Sequence, residues 1–142
     1  MGIFSKLFGR GDAGAAPQAA PPRGGGRRIL VVEPSLTMAK VVELTLENDT
    51  VTHAANAAQA REAFAQQHPQ LVLVSPNLPD GDGYELARSF INDAFHGCPV
   101  ILLRGAFEVF DQVKAEASGV AAILMKPFRA EQLLDAVDRA GV

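Results

Sequence analysis

Short apolar runs alternate with longer amphipathic segments over most of the chain, from residue 29 to residue 140. Runs of four or five residues rich in Val, Ile and Leu are typical of buried strands, whereas apolar residues that recur every three or four positions are typical of helices. The pattern predicts five strands, at residues 29–32, 50–53, 71–74, 100–103 and 120–124. It predicts five helices, at residues 35–47, 57–67, 84–95, 107–117 and 130–140. This alternation predicts an α/β fold, in which a doubly wound parallel five-stranded sheet has helices on both faces.

The helical segments also indicate which side chains face the sheet. In the first helix the inward positions are predicted to be Leu36, Ala39, Val42 and Leu46. In the last helix they are predicted to be Leu133, Leu134 and Val137. Asn56 stands just before the second helix and is predicted to be its N-cap.

The predicted topology places four polar side chains at one edge of the sheet. In open parallel sheets, function collects at the carboxyl ends of the strands. The residues at those ends are Glu33, Ser75, Arg104 and Lys126. We therefore expect the candidate site to be built from these four residues.

Composition divides the 142 residues into three parts. Residues 11–27 are mostly Gly, Ala and Pro, which predicts a flexible linker that cannot bury a core. Residues 1–28 carry five basic residues and one acidic residue, and the remainder carries eight basic and fifteen acidic residues. An acidic body argues against nucleic acid as the partner of the folded region.

Cys98 is the single cysteine, so an intrachain disulfide is impossible and a reduced, cytoplasmic setting is expected. No apolar run approaches the roughly 18–20 residues that span a bilayer. The three histidines, His53, His68 and His96, lack the spacing of metal ligands, so no metal site is predicted from them.

Residues 1–10 form a short amphipathic segment. On a helical wheel its apolar residues cover about 140°; they are Ile3, Phe4, Leu7 and Phe8. A segment this short is not helical alone in water, so it would fold only against a surface. Three surfaces remain open: a groove on a partner, an anionic membrane such as the inner membrane, and the domain's own flank.

Four pieces of sequence carry a resemblance to a known family. They are Ile-Leu-Val-Val-Glu-Pro at residues 29–34, Leu-Pro-x-x-Asp-Gly at residues 78–83, Pro-Val-Ile-Leu-Leu at residues 99–103 and Lys-Pro-Phe at residues 126–128. Their order and spacing resemble the CheY-like receiver domain of two-component response regulators. The resemblance implies a flavodoxin-like (βα)5 fold over residues 28–142. It also implies a turn role for Asp82.

The resemblance implies a phosphate site that this chain keeps only in part. Ser75 stands where the family has its phosphoacceptor aspartate, and Glu33 and Pro34 stand where it has two Mg²⁺-binding acids. Arg104 replaces the family's Thr or Ser, whereas Lys126 and Pro127 are retained. We therefore predict a degenerate pseudo-receiver that has no enzymatic activity, cofactor or metal.

Two interpretations of the remaining charges stay open. Glu33, Arg104 and Lys126 can form a buried ion-pair cluster of net charge about +1, or an open pocket that binds an anion such as a nucleotide. Arg104 is long enough to pair with Glu33 bidentately. A separate functional alternative is phosphotransfer that persists on Ser75 or on a loop aspartate.

The family's interaction surface implies protein partners, and a homodimer is compatible with it. It lies around the fourth helix, the fifth strand and the fifth helix. In this chain it corresponds to Phe107, Phe110, Val113, Lys114, Ile123, Arg129 and Gln132. Phe107 and Phe110 are equally well placed to be core residues. The function predicted is a phosphorylation-independent interaction module in a bacterial two-component-type or localisation pathway.

Overall fold

Residues 26–142 are described by the structure, a computed structural model, and they form an α/β domain. The strands are β1 (Arg28–Val32), β2 (Thr50–Ala54), β3 (Leu71–Val74), β4 (Asn77–Leu78), β5 (Gly81–Asp82), β6 (Val100–Gly105) and β7 (Ala122–Lys126). The helices are α1 (Leu36–Thr45), α2 (Ala57–Gln67), α3 (Gly83–Ile91), α4 (Gln112–Ser118) and α5 (Ala130–Arg139).

A parallel five-stranded sheet in the order β2-β1-β3-β6-β7 confirms the predicted flavodoxin-like fold. The central strands β1, β3 and β6 are buried on both faces, which explains their continuous apolar sequence. One core cluster lies under α2, α3 and α4, and its members include Phe64, Leu86 and Ala115. The other lies under α1 and α5, and its members include Val42, Leu133 and Val137.

Helix starts follow their capping residues. Asn56 Oδ1 accepts from Gln59 N–H at 2.8 Å, which confirms its predicted role as the N-cap of α2. Asp82, predicted to have a turn role, is the N-cap of α3 and accepts from the Tyr84 amide at 2.8 Å. Asp111 caps α4 by accepting from Lys114 N–H at 3.0 Å.

Several predicted boundaries are wrong. Helix α4 begins at Gln112 rather than at residue 107, because the segment before Asp111 is a loop held by contacts described below. Helix α3 ends at Ile91, four residues early, and β7 begins two residues late. A small antiparallel pair, β4 and β5, was not predicted.

Two residues differ from their predicted roles. Leu36 was expected to face the core but is 73 % exposed, because it is the first residue of α1 and the helix packs through Ala39 and Val42. Arg27 was assigned to the linker but belongs to the fold. Its guanidinium donates from Nε to Asp49 Oδ1 at 3.1 Å and from Nη2 to Asp49 Oδ2 at 3.2 Å.

None of the helices within residues 26–142 is long and apolar enough to cross a membrane. The predicted amphipathic segment at 1–10 and most of the predicted linker lie outside the described residues.

Candidate functional site

The carboxyl edge of the sheet brings Glu33 and Lys126 together in a buried ion pair. Glu33 follows β1 directly, and Lys126 is the last residue of β7. Lys126 Nζ donates to Glu33 Oε1 at 2.8 Å, and the two side chains are 9 % and 3 % exposed. The Ser35 amide donates to Glu33 Oε2 at 3.0 Å. Both oxygens of this carboxylate therefore have a partner.

A second carboxylate, that of Glu108, also approaches Lys126. Glu108 Oε2 lies 4.0 Å from Lys126 Nζ. A Cβ on Gly105 would lie 2.5 Å from Glu108 Cδ, so the glycine leaves the space that this carboxyl group fills. Glu33 and Glu108 against Lys126 give a net charge of about −1 rather than the expected +1. These residues line a cleft of about 340 Å³.

Arg104 does not join this group. Lys126 is in register with Gly105, one residue after Arg104, and successive side chains of a strand point to opposite faces. The central carbon of the Arg104 guanidinium lies 4.1 Å from the centroid of the Phe110 ring, a cation–π contact. Arg104 Nε is buried and has no hydrogen-bond partner among the described residues. Arg104 therefore does not pair with Glu33, and the predicted joint site of Glu33, Arg104 and Lys126 does not form within residues 26–142.

Ser75 lies at the end of β3 and is only 2 % exposed. Its amide donates to Val32 O at 2.9 Å. A Cβ on Gly83 would come within 2.2 Å of the Ser75 carbonyl oxygen, so only glycine fits where α3 begins. Pro34 is exposed, and the Lys126–Pro127 peptide bond is cis.

The loop between β6 and α4, residues 106–111, is fixed by contacts from three directions. Phe110 packs against the core and under Arg104. The hydrogen bonds to the loop run from Ala106 N–H to Lys126 O at 3.3 Å, from Asn77 Nδ2 to Val109 O at 3.1 Å and from Asp111 N–H to Tyr84 Oη at 2.7 Å. Lys126 therefore interacts with the loop in two ways: its carbonyl oxygen accepts from the Ala106 amide, and its ammonium group attracts the Glu108 carboxylate.

An exposed apolar surface includes part of this loop and extends onto α4 and β7, and we call it the β7–α4 face. Its members are Phe107, Val109, Val113, Ile123 and Met125. Phe107 is fully exposed, which separates it from the half-buried Phe110. Strand β7 lies at the edge of the sheet. Ile123 and Met125 are two residues apart in this strand, so both point to the same side of the sheet. Exposed apolar side chains grouped on one surface are typical of interaction sites.

The polar members of the predicted surface have local partners. Lys114 forms an ion pair with Asp82 and lies 5.3 Å from the centroid of the Tyr84 ring. Arg129 precedes α5, and its amide donates to Gln132 Oε1 at 2.7 Å. Sequence reasoning missed Val109, Met125 and Glu108. Strand β7 is a continuous apolar run before Lys126, so its residue types do not separate the exposed positions from the packed ones.

The fold and the lysine at the end of its last strand define a receiver-type α/β domain, and comparisons with known proteins agree. Residues 29–138 match the response regulator receiver domain family. The chain is 32 % identical over 116 residues to Protein PilG of Pseudomonas aeruginosa, covering 79 % of this chain and 85 % of PilG. The chain therefore belongs to the receiver family of two-component signalling, whose members interact with protein partners.

Two further relatives extend the comparison. The DNA-binding response regulator MtrA of Mycobacterium tuberculosis is 29 % identical over 110 residues, which cover 76 % of this chain and 47 % of MtrA. The chain thus spans about half the length of that relative. The chemotaxis response regulator CheY4 of Vibrio cholerae has the same fold, with a TM-score of 0.72 and 22 % identity over 81 % of this chain and 98 % of CheY4.

The residues present do not fit the Mg²⁺ ion that the family implies. Mg²⁺ takes oxygen ligands in near-octahedral geometry. Glu33 is the one acid at the expected positions, and its oxygens are held by Lys126 and the Ser35 amide. Pro34 and Ser75 supply no carboxylate. Within residues 26–142 no group of three or more His, Cys, Asp or Glu side chains is arranged to hold a metal.

Proposed function

We propose that this chain is a pseudo-receiver, in which Ser75 replaces the phosphoacceptor aspartate and a protein partner binds without phosphorylation. The observation that carries the proposal is the buried Glu33–Lys126 ion pair beside a nearly inaccessible serine. In this interpretation, the lysine that would contact a phosphoryl group is already neutralised by a carboxylate of the protein. The setting is a bacterial two-component-type or localisation pathway.

The contacts around residues 106–111 supply a reason why phosphorylation is not needed. Lys126 and Glu108 attract each other across the cleft, and the loop has three further hydrogen bonds. These contacts hold Phe107 and Val109 outward in the loop before α4. We infer that the β7–α4 face is presented continuously to its partner.

The alternative acceptors are poorly placed for phosphotransfer. A serine hydroxyl needs an activating base near neutral pH, and Ser75 is buried. The Asp80 carboxylate accepts from the first two amides of α2, at 2.7 and 3.0 Å. The Asp82 carboxylate caps α3 and pairs with Lys114.

A mass measurement tests the first half of the proposal. The full chain is incubated with acetyl phosphate and Mg²⁺, and its intact mass is recorded together with that of a receiver known to accept phosphate from this donor. We expect an unchanged mass for this chain. A gain of one phosphoryl group, located on Ser75 or on a loop aspartate, would contradict the proposal.

Paired surface variants test the second half. Val113→Asp places a negative charge on the β7–α4 face, and Leu44→Asp places the same charge on another exposed apolar residue. We expect partners recovered from the native cell with the unaltered chain to be lost only with the first variant. Partners kept by the first variant and lost by Leu44→Asp would place recognition elsewhere.

A further inference from the structure

Helix α1 has an apolar surface that the proposed function does not use. Leu36, Val41 and Leu44 are 73 %, 38 % and 66 % exposed. At 100° per residue they lie within about 140° of one another, on the side of the helix opposite the buried Ala39 and Val42. We call these three residues the outer α1 face.

The chain enters the fold beside the carboxyl end of this helix. The Gly26 amide donates to Asn48 O at 2.9 Å, and the Arg27 amide donates to Asp49 Oδ1 at 3.0 Å. Residues 48 and 49 follow α1 by only three and four positions. Any segment that precedes Gly26 is therefore attached near the carboxyl end of α1.

The length of the intervening chain suits this placement. Residues 11–26 are rich in Gly, Ala and Pro, and a flexible chain of their number has an end-to-end distance of roughly 20–24 Å. The ten residues of α1 are about 15 Å long. Residues 1–10 thus reach every part of the outer α1 face without a fully extended linker.

Charge favours the same location. The amphipathic segment carries Lys6 and Arg10 beside its apolar residues. Glu43 lies in the last turn of α1 and the exposed Glu47 lies just beyond it, near the point where the chain enters the fold. Lys40 is one turn from both leucines of the outer α1 face and so lies within that face, where Glu43 compensates its charge at 3.3 Å. The uncompensated charge at this end of the helix is therefore the negative charge of Glu47.

We propose that residues 1–10 dock on the outer α1 face of their own chain, with Ile3, Phe4, Leu7 and Phe8 against Leu36, Val41 and Leu44. Docking supplies the surface that a segment this short needs in order to become helical. Tethering raises its effective concentration to roughly millimolar, so a weak contact suffices. This proposal is independent of the pseudo-receiver function.

A single tryptophan tests the docking. The chain contains none, so Phe4→Trp in the full-length protein gives a reporter confined to the segment. We expect its emission to lie at shorter wavelength than in a free peptide of residues 1–10 with the same substitution. The shift should be independent of protein concentration and lost in the Leu36→Asp/Leu44→Asp variant. In that variant far-UV circular dichroism should lose only the helical signal of the docked segment, because both substituted residues are exposed and the domain stays folded.

The control places the same two charges elsewhere. Val113→Asp/Met125→Asp alters two exposed residues, at 75 % and 47 %, on the opposite side of the sheet and should retain the shift. An emission identical to that of the free peptide, which shifts only when vesicles containing anionic phospholipid are added, would overturn the proposal in favour of membrane binding. A shift that appears only at high protein concentration would overturn it in favour of a second copy.

Discussion

Replacing Lys126 by methionine would remove the cation from the buried pair while keeping most of the side-chain volume. At 2.8 Å and an effective dielectric constant of about 20, the attraction between Lys126 and Glu33 is about 6 kcal/mol before desolvation is subtracted. Removing one partner leaves the Glu33 carboxylate buried with the Ser35 amide as its remaining described donor. We expect the free energy of unfolding to fall by about 3–5 kcal/mol, the usual cost of breaking a buried pair.

Urea denaturation followed by circular dichroism measures this loss. For a slope of roughly 2 kcal/mol per molar urea, the midpoint should fall by about 2 M. Glu33→Gln in the same molecule should restore most of the stability, because a neutral pair costs far less to bury than a lone charge. The matched control is Lys40→Met, which breaks an exposed pair and should cost less than about 0.5 kcal/mol.

The double-mutant cycle decides whether the reasoning holds. A coupling energy of about 2 kcal/mol or more between positions 33 and 126 is expected for residues in direct contact. Two results would refute this reasoning: losses in free energy of unfolding that simply add for the two single variants, or a Lys126→Met variant as stable as Lys40→Met. Either result would show that the Glu33–Lys126 pair does not stabilise the fold.

Three further predictions concern single positions. Gly83→Ala should lower the free energy of unfolding by about 2–3 kcal/mol in urea titrations, because its Cβ would meet backbone atoms of Ser75 and its neighbour at 2.2 and 2.6 Å. Backbone hydrogen bonds from α2 lower the pKa of Asp80. The stability that the Asp80 carboxylate contributes is therefore complete above the unfolded pKa of 3.8 and is lost as the pH falls through the lower, folded value. In thermal melts, Asp80→Asn should weaken the fall in melting temperature at acid pH. Burial, with the Asp93 charge, raises the pKa of Cys98 to about 11, so iodoacetamide should label it at pH 8 only after unfolding.

The strands and most helices could be predicted because their local signals agree with their tertiary environment. Helix α2 has an asparagine cap and a regular period, and both of its predicted ends are correct. The start of helix α4 was predicted five residues too early, because Phe107 and Phe110 have a helical spacing. The residue that caps the helix is Asp111. Hydrophobic period alone does not separate a helix from a loop whose aromatic residue packs on the core.

The candidate site was predictable in its members but only partly in its geometry. Strand alternation puts Arg104 on the same face as Leu102, but its separation from Lys126 depends on the register of β6 with β7, which the sequence does not specify. Glu108 had no comparable signal. Its approach to Lys126 depends on a loop conformation and on the missing Cβ of Gly105, which depend on tertiary contacts.

The two exposed apolar surfaces differ in their position on the sheet. Helix α1 packs on the side that carries Val42 and Leu133, whereas Arg104, Ile123 and Met125 belong to the other side. The partner proposed for the β7–α4 face and the segment proposed to dock on the outer α1 face would therefore lie on opposite sides of the sheet, and the two proposals together describe a two-sided connector.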